Sequence, residues 1–503
     1  MNRTRIGIVS TIVIVIEAVL IGALTMIRTK YILEGYGTNI NGVIQLANQL
    51  TAYMLLFESG MTAAYQYNLY TPLIENDNNK ISGLYKGMIY DFRIIAIKML
   101  ICVLGVSFIY SLVLQNRGVT YAEAVALLSV MGIRLVSPYL FTVPLRTMII
   151  VKERKYITDM VETIKNVTAL ILEIILIKNT SIPLFWILMI QVVLCYCTRH
   201  IYRWLLFRYY GDQINEGSEM DRSPKKMTSD ILVHRVSGLI NSNTDSVLLS
   251  MFKDLGLSSV TIYTTFSTII TYPISLVTRI VDSMRATLAL KINSNGKESY
   301  SYYREMLAFS KICVLIIIPV YISQVNDFVS LWIGKEYTVN SINTILFGLT
   351  AMHQILIPTI YATRDAFGLY KESKKYSLAQ AIVNMSVSLI LIKWLGITGV
   401  LIGTVVSDWL VIEPLNIRLI FKKVFSKKFD MLFDYIMLFV MIFLTGSICG
   451  WLNRTINYNH QGWSTFIIKT IVVTIASTCI SGVFLYLTDY GFRKLLGRFI
   501  HRI

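Results

Sequence analysis

The sequence predicts an all-α polytopic membrane protein of about 14 transmembrane helices, arranged as two pseudo-symmetric six-helix bundles plus two C-terminal helices. Three observations predict it. Apolar runs of roughly 20 residues recur from Ile6 almost to the C-terminus, and at about 1.5 Å per residue each can cross the ~30 Å hydrocarbon core of a bilayer. The composition, 54% hydrophobic and 15% charged with mean hydropathy +0.58, lacks the polar surface that a water-soluble chain of this size needs. The formal charge of +17 is carried between the spans and mainly on one side of them.

Taken in order, the spans are expected near 6–27, 42–67, 88–114, 121–149, 156–177 and 182–206. The polar stretch GDQINEGSEMDRSPKKMTS, Gly211 to Ser229, is too hydrophilic to enter lipid and reads as a linker. Six more spans follow near 231–252, 257–281, 306–325, 339–362, 377–394 and 397–420, and the last two near 431–452 and 463–487. The fifth span, with Asp159, Glu162, Lys165 and Glu173, and the seventh, with His234, Arg235 and Asp245, carry the most charge. The implied division is 1–210 for the first bundle, 211–229 for a cytoplasmic linker, 230–425 for the second bundle, and 426–503 for two additional helices and a cytoplasmic tail.

Loop charge sets the orientation, because Lys and Arg accumulate on the cytoplasmic side. With the N-terminus inside, the inner segments hold 34 of the 47 Lys and Arg residues and the outer turns hold eight, so both termini are expected in the cytoplasm. This asymmetry accounts for the basic balance without nucleic acid. The run after Arg3 and Arg5 is too long for a cleaved leader and reads as a retained anchor. The six Cys lie inside spans and make no CxxC, which suits small apolar packing residues. The sequence shows no HExxH, no P-loop GxxxxGK[ST] and no Ser-His-Asp arrangement, so no catalytic centre and no metal or other cofactor is expected.

An internal repeat supports the two-bundle reading. The inner loop Lys152-Glu153-Arg154-Lys155-Tyr156 resembles Lys371-Glu372-Ser373-Lys374-Lys375-Tyr376, the outer turn at Gly37 recurs at Gly256, and the turn at Lys178-Asn179 recurs near Gly396. One offset, about 219 residues, relates all three. Duplication of an even number of spans gives parallel repeats about an axis along the membrane normal, with a cavity between them that can open to either side.

The segments TKYILEGYGTNINGVIQLANQLTAYMLLFESGMTAAYQYNLYTPL and LINSNTDSVLLSMFKDLGLSSVTIYTTFSTII, within a six-plus-six-plus-two plan, resemble the polysaccharide-transporter branch of the multidrug/oligosaccharidyl-lipid/polysaccharide exporter superfamily. The resemblance implies a flippase, by alternating access, for an undecaprenyl-diphosphate-linked oligosaccharide repeat unit in the cytoplasmic membrane. It implies service to O-antigen, capsule, exopolysaccharide or teichoic-type polymers, alongside membrane lipids and polysaccharide polymerase or export proteins. Two other readings stay open: export of cationic drugs by the related multidrug branch, and a membrane-embedded glycosyltransferase or polymerase.

Such a cargo needs a wet, partly cationic path, because polar groups stripped of water in hydrocarbon cost several kcal/mol each. Charged residues within spans are therefore the site candidates. Arg134 lies near the middle of the fourth span, with Pro138 and Pro144 beyond it freeing carbonyls. Its guanidinium suits a diphosphate. Lys98 falls two turns from Asp91 on one face, and Lys165 one turn after Glu162. For these three, an ion pair fastening helices is the competing role. Arg28, Arg93 and Arg279 complete the cationic set, and their places near span ends also suit snorkelling to the headgroups. Glu17, Glu58, Asp245 and Asp408 are the carboxylates that could couple transport to H⁺ or Na⁺, since a desolvated carboxylate is pushed toward its protonated form.

Overall fold

The computed structural model describes residues 3–58, 60–115, 117–214, 217–224, 232–252, 255–292, 296–425, 431–456 and 462–500. Among them every regular element is helical: α1 (Arg3–Tyr36), α2 (Thr38–Ala52), α3 (Met61–Glu75), α4 (Asn78–Leu114), α5 (Tyr121–Phe141), α6 (Val143–Val151), α7 (Lys155–Asn179), α8 (Leu184–Tyr210), α9 (Leu232–Met251), α10 (Gly256–Ile292), α11 (Gly296–Trp332), α12 (Ser341–Ala366), α13 (Tyr370–Leu395), α14 (Ile397–Ser407), α15 (Glu413–Ile420), α16 (Met431–Thr455), α17 (Trp463–Thr488) and α18 (Tyr490–Ile500). With α2–α3, α5–α6 and α14–α15 each making one broken crossing, these give about 14 spans and the short terminal α18. Among the described residues ten helices are individually long and apolar enough to cross a bilayer. Their outward faces carry Ile97, Ile101, Phe108 and Ile109 on α4 and Ile467, Ile471 and Ile475 on α17. Lipid tolerates such side chains and water does not.

Two turns of the expected repeat share a backbone feature. Gly37 and Gly256 both adopt positive φ, 85° and 62°, a conformation that excludes most side chains. Pro138 lies inside α5 and Pro358, 220 residues later, inside α12.

The chain divides into two compact units, Met1–Thr261 and Ile262–Ile503. Lipid tails are as apolar as a helix core, so helices in such a unit are held by close packing and by polar bonds. In the first unit Tyr65, Met88, Phe92, Met99, Met148 and Tyr202 form the core, and Gly132 lets α5 close on Val103 of α4. α9 joins this unit through Tyr53, whose hydroxyl lies 3.0 Å from that of Thr244, and Tyr110, 2.6 Å from Ser250.

The linker is not a free tether. Residues 217–224 lie along the start of α4: Asp221 N–H donates to Gly83 O (3.0 Å) and Lys86 Nζ to Ser218 O (3.0 Å). Glycines at 83 and 87 permit this, since a methyl on either would strike the backbone oxygen of Glu219 or Asp221. The remainder of the expected linker, 215–216 and 225–229, lies outside the described residues.

In the second unit α11 is the spine, with Val314, Leu315 and Ile318 fully buried. Pro319 is inside α11, and a proline leaves the carbonyl four residues earlier without its donor. That carbonyl, Leu315 O, accepts from Ser477 Oγ (2.7 Å) and Ser481 Oγ (3.3 Å) of α17. Toward the C-terminal end of α11, Asn453 of α16 donates to Ser323 O (2.9 Å) and accepts from Gln324 (3.1 Å). At the basic end Lys311 bonds Asp489 (2.7 Å), Arg304 pairs with Asp434, and Glu305 receives Arg498 (2.8 Å) and Lys494 (3.6 Å) of α18.

Candidate functional site

The structure brings two of the sequence-selected cations together inside the first unit. Arg28 of α1 donates to Glu173 Oε2 of α7 at 2.8 Å, and Arg134 of α5 lies 3.3 Å from Glu173 Oε1. Glu173 has no exposed side-chain surface, and the side chains of Arg28 and Arg134 are 9% and 11% exposed. Arg134 also bonds Gln191 of α8 and reaches Met131 Sδ at 3.9 Å. Four helices thus meet on two guanidiniums and one carboxylate.

Local sequence places Arg134. Thr120 and Glu123 form a reciprocal cap that fixes the start of α5. Pro138 cannot donate to the carbonyl of Arg134, and Ser137 Oγ takes that acceptor instead, at 3.0 Å. With Pro144 starting α6, the crossing breaks at Thr142. Arg28 does not snorkel toward the headgroups, as its place near a span end suggests. It lies instead in the packed interior, 7% exposed, because Glu173 supplies an anion there.

The other candidates fall elsewhere. Lys165 pairs with Glu162 at 2.5 Å, and Glu162 also accepts from Tyr202 at 3.0 Å and lies 3.9 Å from Arg146. Lys98 makes no ion pair with Asp91, which is buried and taken: Tyr65 donates to it at 2.8 Å and Arg222 of the linker at 2.8 Å, with a second nitrogen at 2.6 Å. Lys98 is exposed, as are Arg93 on the same helix and Arg279 on α10. Sequence reasoning misses Arg222, because a polar linker gives no sign of folding back. Its bond to Asp91 raises the pKa of its guanidinium, and the group lies 4.6 Å over the ring of Tyr90.

Among the carboxylates, Glu17 is half-buried on α1. Glu58 is buried and accepts from Thr62 N–H at 2.9 Å, closing the turn before α3. Asp245 is buried on α9, 4% exposed. Asp408, 2% exposed, accepts from Gln380 at 2.7 Å and lies 3.8 Å from His353. Among the described residues no group of three His, Cys, Asp or Glu side chains is arranged to hold a metal ion.

Chemically, the Arg28–Glu173–Arg134 group carries one more cation than anion. Guanidinium donors bind phosphate oxygens through parallel N–H bonds, so an anionic group entering here would compete with Glu173 for its two partners.

This is a multi-pass membrane protein, and its fold is that of solved flippase and multidrug-transporter structures. The solved structure of lipid II flippase MurJ in an inward closed conformation is similar over 95% of this chain and 99% of its own, with a TM-score of 0.67 and 15% identity. An inward-facing multidrug resistance MATE family transporter is similar over 84% and 95%, with a TM-score of 0.63 and 12% identity. The eukaryotic MATE transporter AtDTX14 matches over 83% and 96%, with a TM-score of 0.55 and 13% identity. No family model and no curated protein matches the sequence.

Proposed function

We propose that this chain is a flippase that carries an undecaprenyl-diphosphate-linked oligosaccharide repeat unit across the cytoplasmic membrane, by alternating access, for cell-surface polysaccharide synthesis. Both termini lie in the cytoplasm, and O-antigen, capsule and exopolysaccharide units are the cargo class, with polymerase and export proteins downstream. The observation that carries the reading is the pair of buried guanidiniums on a single carboxylate, Arg28 and Arg134 on Glu173. A buried excess of positive charge is costly unless an anion is meant to meet it, and a sugar diphosphate brings about two negative charges. The likeness to a lipid II flippase over nearly the whole chain supports the same class of cargo.

The test is leaflet-resolved measurement of the lipid-linked intermediate in a deletion strain carrying variants. Arg134→Ala is expected to leave protein levels normal, to stop polymer export and to hold the intermediate in the inner leaflet. Unchanged export would remove Arg134 from the path.

A second reading, export of cationic drugs, draws on the likenesses to MATE transporters, one of them a multidrug resistance transporter. It needs carboxylates on the path in place of arginines. Efflux of a cationic dye on expression of the intact chain, with no effect of its deletion on polymer, would establish that reading over the first.

A further inference from the structure

The first unit carries three arginines that no carboxylate answers. Arg199 and Arg203 are four residues apart on α8, so they stand one turn apart on the same face. Arg93 lies on α4. Eight residues before it, Tyr85 packs against the core cluster that includes Tyr202, Leu205 and Leu206 of α8. The charges of Arg203, Arg199 and Arg93 all act on the Tyr85 hydroxyl, and among the described residues no carboxylate does. Other cations of this unit are spent: Arg28 and Arg134 on Glu173, Lys165 on Glu162, and Arg222 on Asp91. Arg93, Arg199, Arg203 and the Tyr85 hydroxyl have no hydrogen-bond or ion-pair partner among the described residues. Arg93 and Arg203 are exposed, and Arg199 and Tyr85 half-buried.

Depth groups the three further. At about 1.5 Å per residue, Arg93 lies about 32 Å from the far end of α4 at Leu114, and Arg199 and Arg203 lie about 23 and 29 Å from the start of α8 at Leu184. With a hydrocarbon core of about 30 Å, all three guanidiniums reach the headgroup layer at one surface of the unit. Toward the core they give way to apolar side chains that face outward, Ile97 and Ile101 on α4 and Val193 and Tyr196 on α8. Trp204, exposed beside Arg203, suits the interface itself.

Unpaired guanidiniums beside hydrocarbon are costly, and three together repel one another. One anion among them offsets both costs. A phosphodiester brings a negative charge and two acceptor oxygens that match the fork of a guanidinium, and the Tyr85 hydroxyl can donate to it as well. The apolar wall beneath calls for a ligand with acyl chains, which free phosphate lacks. We propose that Arg93, Arg199, Arg203 and Tyr85 form a binding site for the headgroup of an anionic phospholipid, whose chains run along Ile97, Ile101, Val193 and Tyr196. Basic recesses between membrane helices hold such lipids. The site lies within the first unit and does not depend on the cargo.

The test titrates the full-length chain in detergent with phosphatidylglycerol, and separately with zwitterionic phosphatidylcholine of the same acyl chains, and counts bound lipid by native mass spectrometry. Wild type is expected to hold phosphatidylglycerol about tenfold or more tightly than phosphatidylcholine. Each basic group near a membrane surface contributes about fivefold in affinity for anionic lipid, so Arg93→Gln, Arg199→Gln and Arg203→Gln together should lose about a hundredfold. None of the three has a partner to lose, so this variant should unfold at the wild-type temperature when no lipid is added. Lys371→Gln, Lys374→Gln and Lys375→Gln remove three exposed lysines at the start of α13, and that variant should bind as wild type does. Equal affinity for the two lipids overturns the site. An equal loss in the lysine variant also overturns it, because the attraction is then spread over the whole basic surface. If the triple arginine variant fails to fold, Arg203→Gln alone decides the question: about a fivefold loss supports the site and no loss overturns it.

Discussion

Glu173 is a single carboxylate with two buried arginines, so its removal is not equivalent to loss of one ion pair. Glu173→Gln keeps the shape and leaves Arg28 and Arg134 facing each other without an anion. Breaking a buried pair by removing one partner costs about 3–5 kcal/mol, and thermal unfolding in detergent should show a loss of that order. Adding Arg28→Met removes the unpaired charge and should recover part of the loss; strictly additive effects would contradict the arrangement. This group is half legible in the sequence. Arg134 announces itself as a cation at the centre of an apolar run, but its partner lies on the fifth span, whose charges make it look like a poor membrane helix. The charges of α7 are spent on neighbours: Glu173 on Arg28 and Arg134, and Glu162 on Lys165, Tyr202 and Arg146. Lys98 misleads for the opposite reason, since helical spacing suggests Asp91 as its partner and cannot show that Asp91 is buried and bonded to Arg222 while Lys98 is exposed.

For whole helices, apolar run length places most of the crossings between α1 and α17, because lipid imposes one simple condition on each of them. What run length cannot show is how each broken helix is repaired. Pro319 is visible, but the two serines that answer it are about 160 positions later in the chain. Ser477→Ala with Ser481→Ala should leave Leu315 O buried and unbonded, costing about 1–3 kcal/mol. Pro319→Ala in that background restores the helical donor and should return most of the loss in the same unfolding assay. If the proline variant recovers nothing, the serines serve some purpose other than this carbonyl.

At the scale of the whole molecule, each unit is braced by a polar segment, the linker along α4 in the first and α18 along α11 in the second. Asp489 anchors α18. Burial opposes its ionisation, but Lys311 and Arg304 beside it and the N–H of Phe492 outweigh burial and hold its pKa below the ordinary carboxylate value. A carboxylate depressed in the folded state adds stability above its unfolded pKa of about 3.9, and that stability is lost as pH falls through the folded value. The difference in unfolding temperature between wild type and Asp489→Asn should therefore be constant from about pH 5 to pH 8 and shrink only below about pH 4. A difference that changes near neutrality would assign the anchor to another group. The dependence of α11 on later residues also bears on biosynthesis. As the ribosome delivers the chain in order, α11 enters the bilayer with a bare carbonyl at Leu315 and waits for α17, several crossings later. A product that ends before residue 477 has no means of closing that gap, so nonsense mutations late in the coding sequence should yield degraded chains and not shortened, working ones.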